Sequence, residues 1–319
     1  MSQLVVAVAD SPFPSMDPVQ RALQPLGARL RMSASPEAGD ILAVARDADA
    51  LMVCYAKITG DLIRQLSRCK VIGRTGLGVD NIDLVAARER NIIVTYVPDY
   101  CMAEVSDHAI GLLLALARKI PFANGIVQSG RWEMAAVAPI HRLKGQTLGL
   151  VGFGAIPRAL VPKANAFGLR VLVSDPFVAP DVVASFGAKG VSFDELLGSS
   201  DFVSIHAPLT PQTRGLFNTA TFNKMKTGAQ IINTARGPII DEKALIEALD
   251  SGRLAGAALD VLETEPPPKD SLLIGRPNVV LTPHTAFYSV EALAELQIKC
   301  ATDIARVLSG QPPVYPAPG

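Results

Sequence analysis

The sequence predicts an α/β fold with two domains, each built around a parallel sheet. Short apolar runs alternate with helical patterns almost throughout the chain. Most of these runs are apolar at every position, which is typical of strands in a parallel sheet covered on both faces. The chain has 319 residues, enough for two domains of about 100–200 residues each. The candidate strands are residues 4–9, 50–55, 70–74, 92–97, 147–153, 170–175, 202–207, 229–235, 255–261 and 279–284.

Composition and charge exclude several functional classes. Hydrophobic residues make up 49% of the chain and charged residues 19%, and 30 basic residues balance 30 acidic ones. Large buried cores are therefore expected, and no overall field recruits nucleic acid or a membrane surface. The N-terminus lacks signal-peptide features, and the longest apolar run, residues 109–117, is far shorter than the ~20 residues needed to cross a bilayer. We expect a soluble cytoplasmic protein.

The four cysteines (Cys54, Cys69, Cys101 and Cys300) form no C-x-x-C pair. This pattern favours buried free thiols in a reducing compartment over disulfides. No spacing of histidine, cysteine and aspartate indicates a metal site.

Three helical patterns frame the predicted domains. Residues 105–132 form a long helical pattern followed by polar, turn-prone residues. Residues 241–253 have Asp241 to cap the start and Gly252 to end the helix. Residues 289–310 form a final helix that could fold back on the first domain, followed by a Pro-rich tail that we expect to be frayed.

The segment TLGLVGFGAIPRAL (147–160) nearly spells the dinucleotide fingerprint G-x-G-x-x-G. Gly152 and Gly154 occupy the positions for the tight turn and for close approach to a pyrophosphate, whereas Pro157 replaces the third glycine. Pro157 falls in the first helical turn, where amides have no intrahelical acceptor, so it need not break the helix. The amides of Ala155 and Ile156 remain to meet a phosphate.

Asp175 ends the next candidate strand, 21 residues after Gly154. An acidic group there is typical of proteins that bind the ribose hydroxyls of NAD, and no Arg or Lys follows nearby to accept a 2′-phosphate. The alternative is a helix cap or turn residue. Together, the fingerprint at 147–160 and Asp175 predict a Rossmann-like domain that binds NAD rather than NADP.

Polar residues follow four later strands, where ligands bind in open α/β sheets. A hydride transfer to a keto acid needs a cation for the carboxylate, a proton donor for the carbonyl oxygen and a carboxylate to orient that donor. Arg236, His284 and Glu265 supply this set, and we predict them as the catalytic residues. Each has an ordinary alternative, respectively a surface-loop arginine, a turn histidine and a solvated loop acid. We expect His108 and His141 to be structural.

The chain from about residue 50 to 310 resembles the D-isomer-specific 2-hydroxyacid dehydrogenases, and most closely their D-3-phosphoglycerate dehydrogenase-like and C-terminal-binding-protein-like members. The matching stretches are VIGRTGLGVDNIDL (71–84), LGLVGFGAIPRAL (148–160), HAPLTPQTRGLF (206–217), IINTARGPIIDEKAL (231–245), GAALDVLETEPP (256–267) and LTPHTAFYS (281–289). In that family the positions of Arg236, Glu265 and His284 are catalytic, which agrees with the argument from the residues.

The resemblance implies further site residues. Asp260 would hold the nicotinamide carboxamide. Arg74 stands where phosphoglycerate enzymes place a phosphate-binding arginine. With Arg236 it would contact the substrate, whose carboxylate the loop of Gly76, Leu77 and Gly78 would hold. The implied cofactor contacts are Gly152, Gly154, Ala155, Ile156, Asp175, His206, Ala207, Pro208, Thr213, Thr234, Ala235, Asp260, His284 and Ala286.

The resemblance also implies two Rossmann-like or flavodoxin-like domains with the cofactor cleft between them. The substrate-binding domain would comprise residues 1–103 and 288–319, and the NAD-binding domain residues 104–287, with a dimerisation helix and arm at about 104–145 in a homodimer. Two positions depart from the family: Pro157 replaces a glycine, and Ala155 stands where a basic or polar residue is common.

The predicted function is an NAD-dependent oxidoreductase that transfers a hydride between nicotinamide and C2 of a small D-2-hydroxy acid or 2-keto acid, possibly 3-phosphoglycerate. The stretches DYCMAEV (99–105) and FYS (287–289) look more like the corepressor group, with an aromatic pocket. The alternative is therefore an NAD(H)-sensing, corepressor-like interaction protein with little turnover.

Overall fold

The computed structural model describes residues 3–318, which form two compact units. One unit extends to Tyr100 and resumes at Ser289, and the other is Cys101–Tyr288. The sequence-based boundaries, after residues 103 and 287, differ from these by three residues and one residue.

A five-stranded parallel sheet forms the centre of the first unit. Its order is β2-β1-β3-β4-β5. The chain leaves β1 toward one edge and returns on the other side, so the strand order reverses between β1 and β3. Such a switch point is where α/β sheets bind ligands. The strands are β1 (Val5–Val8), β2 (Arg29–Met32), β3 (Ala50–Val53), β4 (Val71–Arg74) and β5 (Ile93–Thr95).

The helices between these strands cover the sheet and bury its apolar side chains. Leu51 and Ile72 lie in one core with Ile41 and Ile63 from two of the helices. The helices are α1 (Asp17–Leu23), α2 (Ala38–Ala45), α3 (Gly60–Arg64) and α4 (Leu84–Glu89).

The second unit contains a seven-stranded parallel sheet with the order β12-β11-β10-β9-β6-β7-β8. This is the doubly wound Rossmann order extended by one strand, and its switch point lies between β6 and β9. The strands are β6 (Thr147–Val151), β7 (Arg170–Ser174), β8 (Lys189–Gly190), β9 (Phe202–Ile205), β10 (Ala229–Asn233), β11 (Leu254–Leu259) and β12 (Val279–Leu281).

Helices cover both faces of the second sheet, which explains why its strands are apolar at consecutive positions. Ile231 packs in a core with Leu245 on one face, and its neighbour Ile232 packs with Leu113 and Leu160 on the other. The helices are α5 (Met102–Ala117), α6 (Ile120–Gln128), α7 (Ala155–Ala166), α8 (Pro180–Ser185), α9 (Phe193–Ser199), α10 (Thr219–Lys224) and α11 (Glu242–Asp250).

Local signals set several helix ends. The predicted cap Asp241 accepts a hydrogen bond from the amide of Ala244, and Gly252 has a left-handed φ of 71° just after α11. The long pattern over 105–132 divides into α5 and α6, because Lys119 adopts a φ of 53° between them. No single helix within residues 3–318 is long and apolar enough to cross a membrane, and only the bent pair α5–α6 together meets those requirements of length and composition.

The last helix, α12 (Val290–Leu308), belongs to the first unit. The prediction of a frayed tail after it is wrong. The amides of Val314 and Tyr315 donate to the Asp303 carboxylate at 2.7 and 2.8 Å, and the amide of Ala317 donates to Val94 O at 2.8 Å. The buried carboxylate of Asp303 thus fixes the tail against β5, an arrangement that no local pattern in the tail indicates.

Candidate active site

The glycine turn between β6 and α7 has the geometry of a phosphate-binding loop. Gly152 adopts a φ of 93°, and a Cβ there would lie 3.0 Å from backbone atoms of His206 and Ala207. A Cβ at Gly154 would meet nothing within 4 Å. The first glycine therefore allows a close turn against the end of β9, whereas the second leaves open space before the helix.

Pro157 does not disrupt this loop. It is the third residue of α7 and is buried, and the helix continues to Ala166. An amide at that position would have no intrahelical acceptor, so proline removes no helix hydrogen bond there. Ala155 and Ile156 precede it in the same turn, where their amides are available for an anion.

Asp175 joins the end of β7 to the glycine turn. One carboxylate oxygen accepts the amide of Phe153 at 2.7 Å, and the other accepts the amide of Phe177 at 2.8 Å. Asp175 therefore acts as a turn residue, as the alternative interpretation predicts. Each oxygen retains a second lone pair, so a bond to a ribose hydroxyl remains compatible with this role.

His206 follows β9 at the switch point. Its amide donates to Val151 O at 2.8 Å, and its Nε2 lies 2.9 Å from the hydroxyl of Ser204. Removal from solvent lowers the pKa of His206 to about 4. The ring is therefore neutral at pH 7 and acts here as a hydrogen-bonding group rather than a cation.

This pKa predicts an acid-labile contribution to stability. His206 has an ordinary pKa of 6.5 and a lowered one in the folded protein, so the unfolded chain binds more protons between those values. The stabilisation from the neutral ring is present above pH 6.5 and decreases as pH falls toward about 4. Melting temperatures should therefore decrease less over this window in His206→Asn than in the wild type. His141→Asn, at an exposed histidine, should follow the wild type; parallel curves for all three proteins would contradict the account.

The remaining predicted cofactor residues lie in the loops after β9, β10, β11 and β12. Ala207 is buried, and the Thr213 hydroxyl donates to Pro208 O at 2.6 Å and closes the loop after β9. After β10, the Thr234 hydroxyl is buried and has no hydrogen-bond partner among residues 3–318, and Ala235 follows it. An unsatisfied buried hydroxyl fits a site that a polar ligand completes.

Asp260 organises the loop after β12. It is 2% exposed, and its carboxylate accepts the Thr282 hydroxyl at 2.6 Å and the amides of Thr285 and Ala286 at 2.9 Å each. His108 adds a contact from α5, with Nε2 2.9 Å from the Thr282 hydroxyl. The carboxylate thus fixes the segment that carries His284.

His284 and Glu265 form a direct pair. His284 Nδ1 lies 2.6 Å from Glu265 Oε2, and Glu265 Oε1 accepts the amide of Leu262 at 2.9 Å. Partial burial acts to raise the pKa of Glu265, but the hydrogen bond and charge of His284 outweigh it and hold that pKa below its ordinary value. Glu265 is therefore ionised at neutral pH. His284 has a φ of 53°, a strained conformation for a non-glycine residue that is common at functional sites.

Arg236 lies near this pair. It follows β10, and its Nη1 donates to Ala235 O at 2.8 Å. Its positive charge contributes to the lowered pKa of Glu265. The structure thus brings a guanidinium, a carboxylate and an imidazole together at the carboxyl ends of β10, β11 and β12.

Two residues that support this site were not among those predicted from the sequence. A Cβ at Gly237 would lie 1.9 Å from the carbonyl carbon and oxygen of Leu262. Only glycine therefore allows the loop after β10 to pass so close to the backbone of Leu262. Glu242 Oε1 accepts the amide of Glu263 at 2.6 Å. The glycine directly after Arg236 is a signal in the sequence for such a close approach. Nothing in the sequence distinguishes Glu242 from the other residues of its helix.

The predicted substrate residues lie in the first unit, after β4. Arg74 Nη1 donates to Thr75 O at 2.7 Å, and a Cβ at Gly76 would lie 1.1 Å from that nitrogen. Gly76 therefore makes room for the folded arginine. Leu77 is 41% exposed, and Gly78 is half-buried beside it.

Among residues 3–318, no group of three or more histidine, cysteine, aspartate or glutamate side chains could hold a metal ion. The four cysteines are all free thiols. Burial raises the pKa of the Cys54 and Cys69 thiols, to about 11 and about 12. These thiols are therefore unreactive at neutral pH.

Comparison with known proteins decides the family. Residues 110–286, more than half of the chain, match the model for the NAD-binding domain of D-isomer specific 2-hydroxyacid dehydrogenases. The chain belongs to this family. The resemblance inferred from the motifs is confirmed, as are the α/β fold with two parallel sheets and the assignment of NAD as cofactor.

Relatives with known names support the same assignment. D-3-phosphoglycerate dehydrogenase of Archaeoglobus fulgidus is 42% identical over 256 residues, which is 80% of this chain and 48% of that protein. A glyoxylate reductase from Paecilomyes thermophila has a TM-score of 0.90 at 30% identity, covering 100% of this chain and 99% of that one. D-Lactate dehydrogenase from Aquifex aeolicus, solved with NAD and lactic acid, has a TM-score of 0.85 at 28% identity, covering 96% of each chain. The chain spans about half the length of the curated relative.

Proposed function

We propose that this chain is an NAD-dependent dehydrogenase that interconverts a small D-2-hydroxy acid and its 2-keto acid. The observation that carries the proposal is the contact of 2.6 Å between Glu265 and His284, at the end of the sheet that forms the NAD-binding domain. A lone histidine in a turn would need no ionised carboxylate at its Nδ1. This pairing holds the ring so that Nε2 exchanges a proton with a substrate oxygen.

The residues of the second unit fit an NAD molecule. The open space beside Gly154 and the first-turn amides of α7 suit the pyrophosphate, and Asp175 suits the adenosine ribose. The unsatisfied hydroxyl of Thr234 and the amide-fixing carboxylate of Asp260 lie at the ends of β10 and β11. We assign the Thr234 hydroxyl and the Asp260 carboxylate to the nicotinamide end of the bound cofactor.

In the reducing direction, the proposed roles account for the hydride and the proton that the keto acid gains. When bound, NADH supplies the hydride that adds to C2 of the keto acid. His284 donates the Nε2 proton to the former carbonyl oxygen, and Glu265 stabilises the positive charge of the ring before this transfer. Arg236 binds the substrate carboxylate, for which its planar fork is suited.

The names of the relatives point to different acids. They include phosphoglycerate, glyoxylate and lactate enzymes, and the proposal is limited to their shared chemistry. D-3-phosphoglycerate stays a candidate because of the predicted role of Arg74 as a phosphate ligand.

A panel of 2-keto acids with NADH tests the proposal. We expect the purified protein to oxidise NADH with at least one acid and to release the D-isomer of the hydroxy acid. Chiral chromatography of the product and the decrease in NADH absorbance give the two readouts. NADH binding without turnover of any acid, glyoxylate included, would instead support an NAD(H)-sensing interaction protein.

We also propose a cytoplasmic homodimer joined through α5, α6 and the following arm. Ile120, Val127, Trp132 and Met134 in this segment are 46–89% exposed, more apolar surface than a monomer is expected to leave in contact with water. Sedimentation of the wild type should therefore give the mass of two chains. The double variant Ile120→Ser, Trp132→Ser should shift this toward one chain, and a wild type that sediments as a monomer would disprove the dimer.

A further inference from the structure

We propose that His108, on α5, is a positioning residue for the nicotinamide end of the cofactor site. It acts through a chain of two hydrogen bonds that passes over Thr282 to the carboxylate of Asp260. The inference rests on the proposed function, in which Asp260 lies at the nicotinamide end of the bound cofactor. His108, Thr282 and Asp260 all belong to the second unit, so the chain of hydrogen bonds is contained in one compact body.

The direction of the two hydrogen bonds follows from the chemistry of the three groups. The Thr282 hydroxyl lies 2.6 Å from Asp260 Oδ1 and 2.9 Å from His108 Nε2. An ionised carboxylate only accepts, so the hydroxyl donates its single proton to Asp260 and accepts a hydrogen bond from the ring. Nε2 of His108 therefore carries a proton. The order of donation is from His108 to Thr282 and from Thr282 to Asp260.

This order determines which oxygen of Asp260 is left for a ligand. Oδ1 accepts the Thr282 hydroxyl at 2.6 Å and the amide of Thr285 at 2.9 Å, whereas Oδ2 accepts the amide of Ala286 at 2.9 Å. Two donors fill the two lone pairs of Oδ1, and Oδ2 keeps a lone pair for one further donor. The carboxamide NH2 of nicotinamide is a donor of this kind. The contacts at Oδ1 thus fix the orientation in which Asp260 meets the cofactor.

The loop that begins at Thr282 also carries the proposed proton donor. The amide of His284 donates to Asp260 O at 2.8 Å, and the amide of Thr282 donates to Leu259 O at 3.0 Å. These bonds connect the loop to the end of β11, and the contact with His108 connects it to a helix. A shift of Thr282 would therefore change the position of both the Asp260 carboxylate and His284.

Helix α5 gives His108 a fixed position. The next residue, Ala109, is buried in one core with Ile232 of β10. The preceding residue, Asp107, accepts a hydrogen bond from Lys163 Nζ of α7 at 2.5 Å. Because α7 begins at the glycine turn, adjacent residues of α5 contact the two ends of the proposed cofactor site. Asp107 contacts the helix assigned to the pyrophosphate, and His108 contacts the loop assigned to the nicotinamide.

The test separates binding of the nicotinamide from binding of the rest of the cofactor. ADP-ribose has the adenosine, the pyrophosphate and the second ribose of NADH but lacks the nicotinamide. The ratio of the two dissociation constants therefore measures the nicotinamide end. We expect His108→Leu, which removes the donor to Thr282, to weaken NADH binding about five- to tenfold and to change ADP-ribose binding by less than about twofold. Isothermal titration calorimetry measures both affinities without turnover.

Three further variants give a rescue, a control and a test of the pairing. His108→Gln keeps an N–H donor at about the reach of Nε2, so both affinities should stay within about twofold of the wild type. Asp107→Ala removes the ion pair with Lys163 at an exposed carboxylate and should leave the ratio unchanged. Thr282→Val removes the hydroxyl that His108 contacts. In that background, His108→Leu should change the ratio no further.

The outcomes separate this inference from the proposed function. Equal losses of NADH and ADP-ribose affinity in His108→Leu, or no loss of either, would overturn the role of His108 and leave the dehydrogenase proposal intact. If the leucine variant does not fold, His108→Asn, whose amide is too short to reach Thr282, takes its place with the same expectation. A wild type that binds NADH but reduces no keto acid ends the dehydrogenase proposal, and the ratio of dissociation constants then still decides the role of His108.

Discussion

Replacing His284 with asparagine is expected to lower turnover about 10²–10⁴-fold while NADH affinity changes by less than about threefold. The variant removes the group that we propose donates a proton to the substrate oxygen. Asparagine is the appropriate replacement because it tolerates the left-handed φ of 53° at this position better than alanine does. Steady-state kinetics give the turnover, and quenching of protein fluorescence by NADH gives the affinity.

His141→Asn is the matched control for this variant. His141 is exposed and lies in the arm after α6, so its replacement should leave both quantities unchanged. Equal losses of turnover and NADH affinity in His284→Asn would show that the histidine supports the structure rather than the chemistry.

Replacing Gly237 with alanine is expected to reduce kcat by about 10²-fold or more and to lower the melting temperature. The new methyl group would overlap the backbone of Leu262 and would lie 2.5 Å from the amide nitrogen of Glu263. Backbone cannot yield as a flexible side chain can, so the loop that positions Glu265 must move. Steady-state kinetics and thermal unfolding measure the two effects.

Gly39→Ala provides the comparison. Gly39 lies in α2, and a Cβ there meets nothing within 4 Å, so alanine should be neutral or stabilising by up to about 1 kcal/mol. If Gly237→Ala behaves in the same way, the close approach of the two loops has no part in positioning Glu265.

Local patterns predicted most of the fold. Each candidate strand coincides with a strand of the structure, and most of the apolar runs are buried on both faces, as Ile231 and Ile232 illustrate. Two strands were missed. β2 reads Arg-Leu-Arg-Met at an edge and lacks a continuous apolar run, and β8 has only two residues.

The candidate site was predictable to the extent that polar residues end buried strands. Arg236 and His284 follow β10 and β12 closely, Glu265 lies farther along the loop after β11, and the structure brings the three together. The supporting contacts could not be predicted, because they join segments distant in sequence. Glu242 with Glu263, 21 residues apart, is of this kind.

The pH dependence of keto-acid reduction by Glu265→Gln tests the central claim, that Glu265 and His284 act together as the proton donor. Glutamine keeps an oxygen beside His284 Nδ1 but removes the charge that favours a protonated ring. Relative to the wild type, we predict a loss of kcat that grows as pH rises over about pH 5 to 9, while the profile of Glu263→Gln, at the exposed neighbouring acid, follows the wild type. A loss by the same factor at every pH would contradict the account.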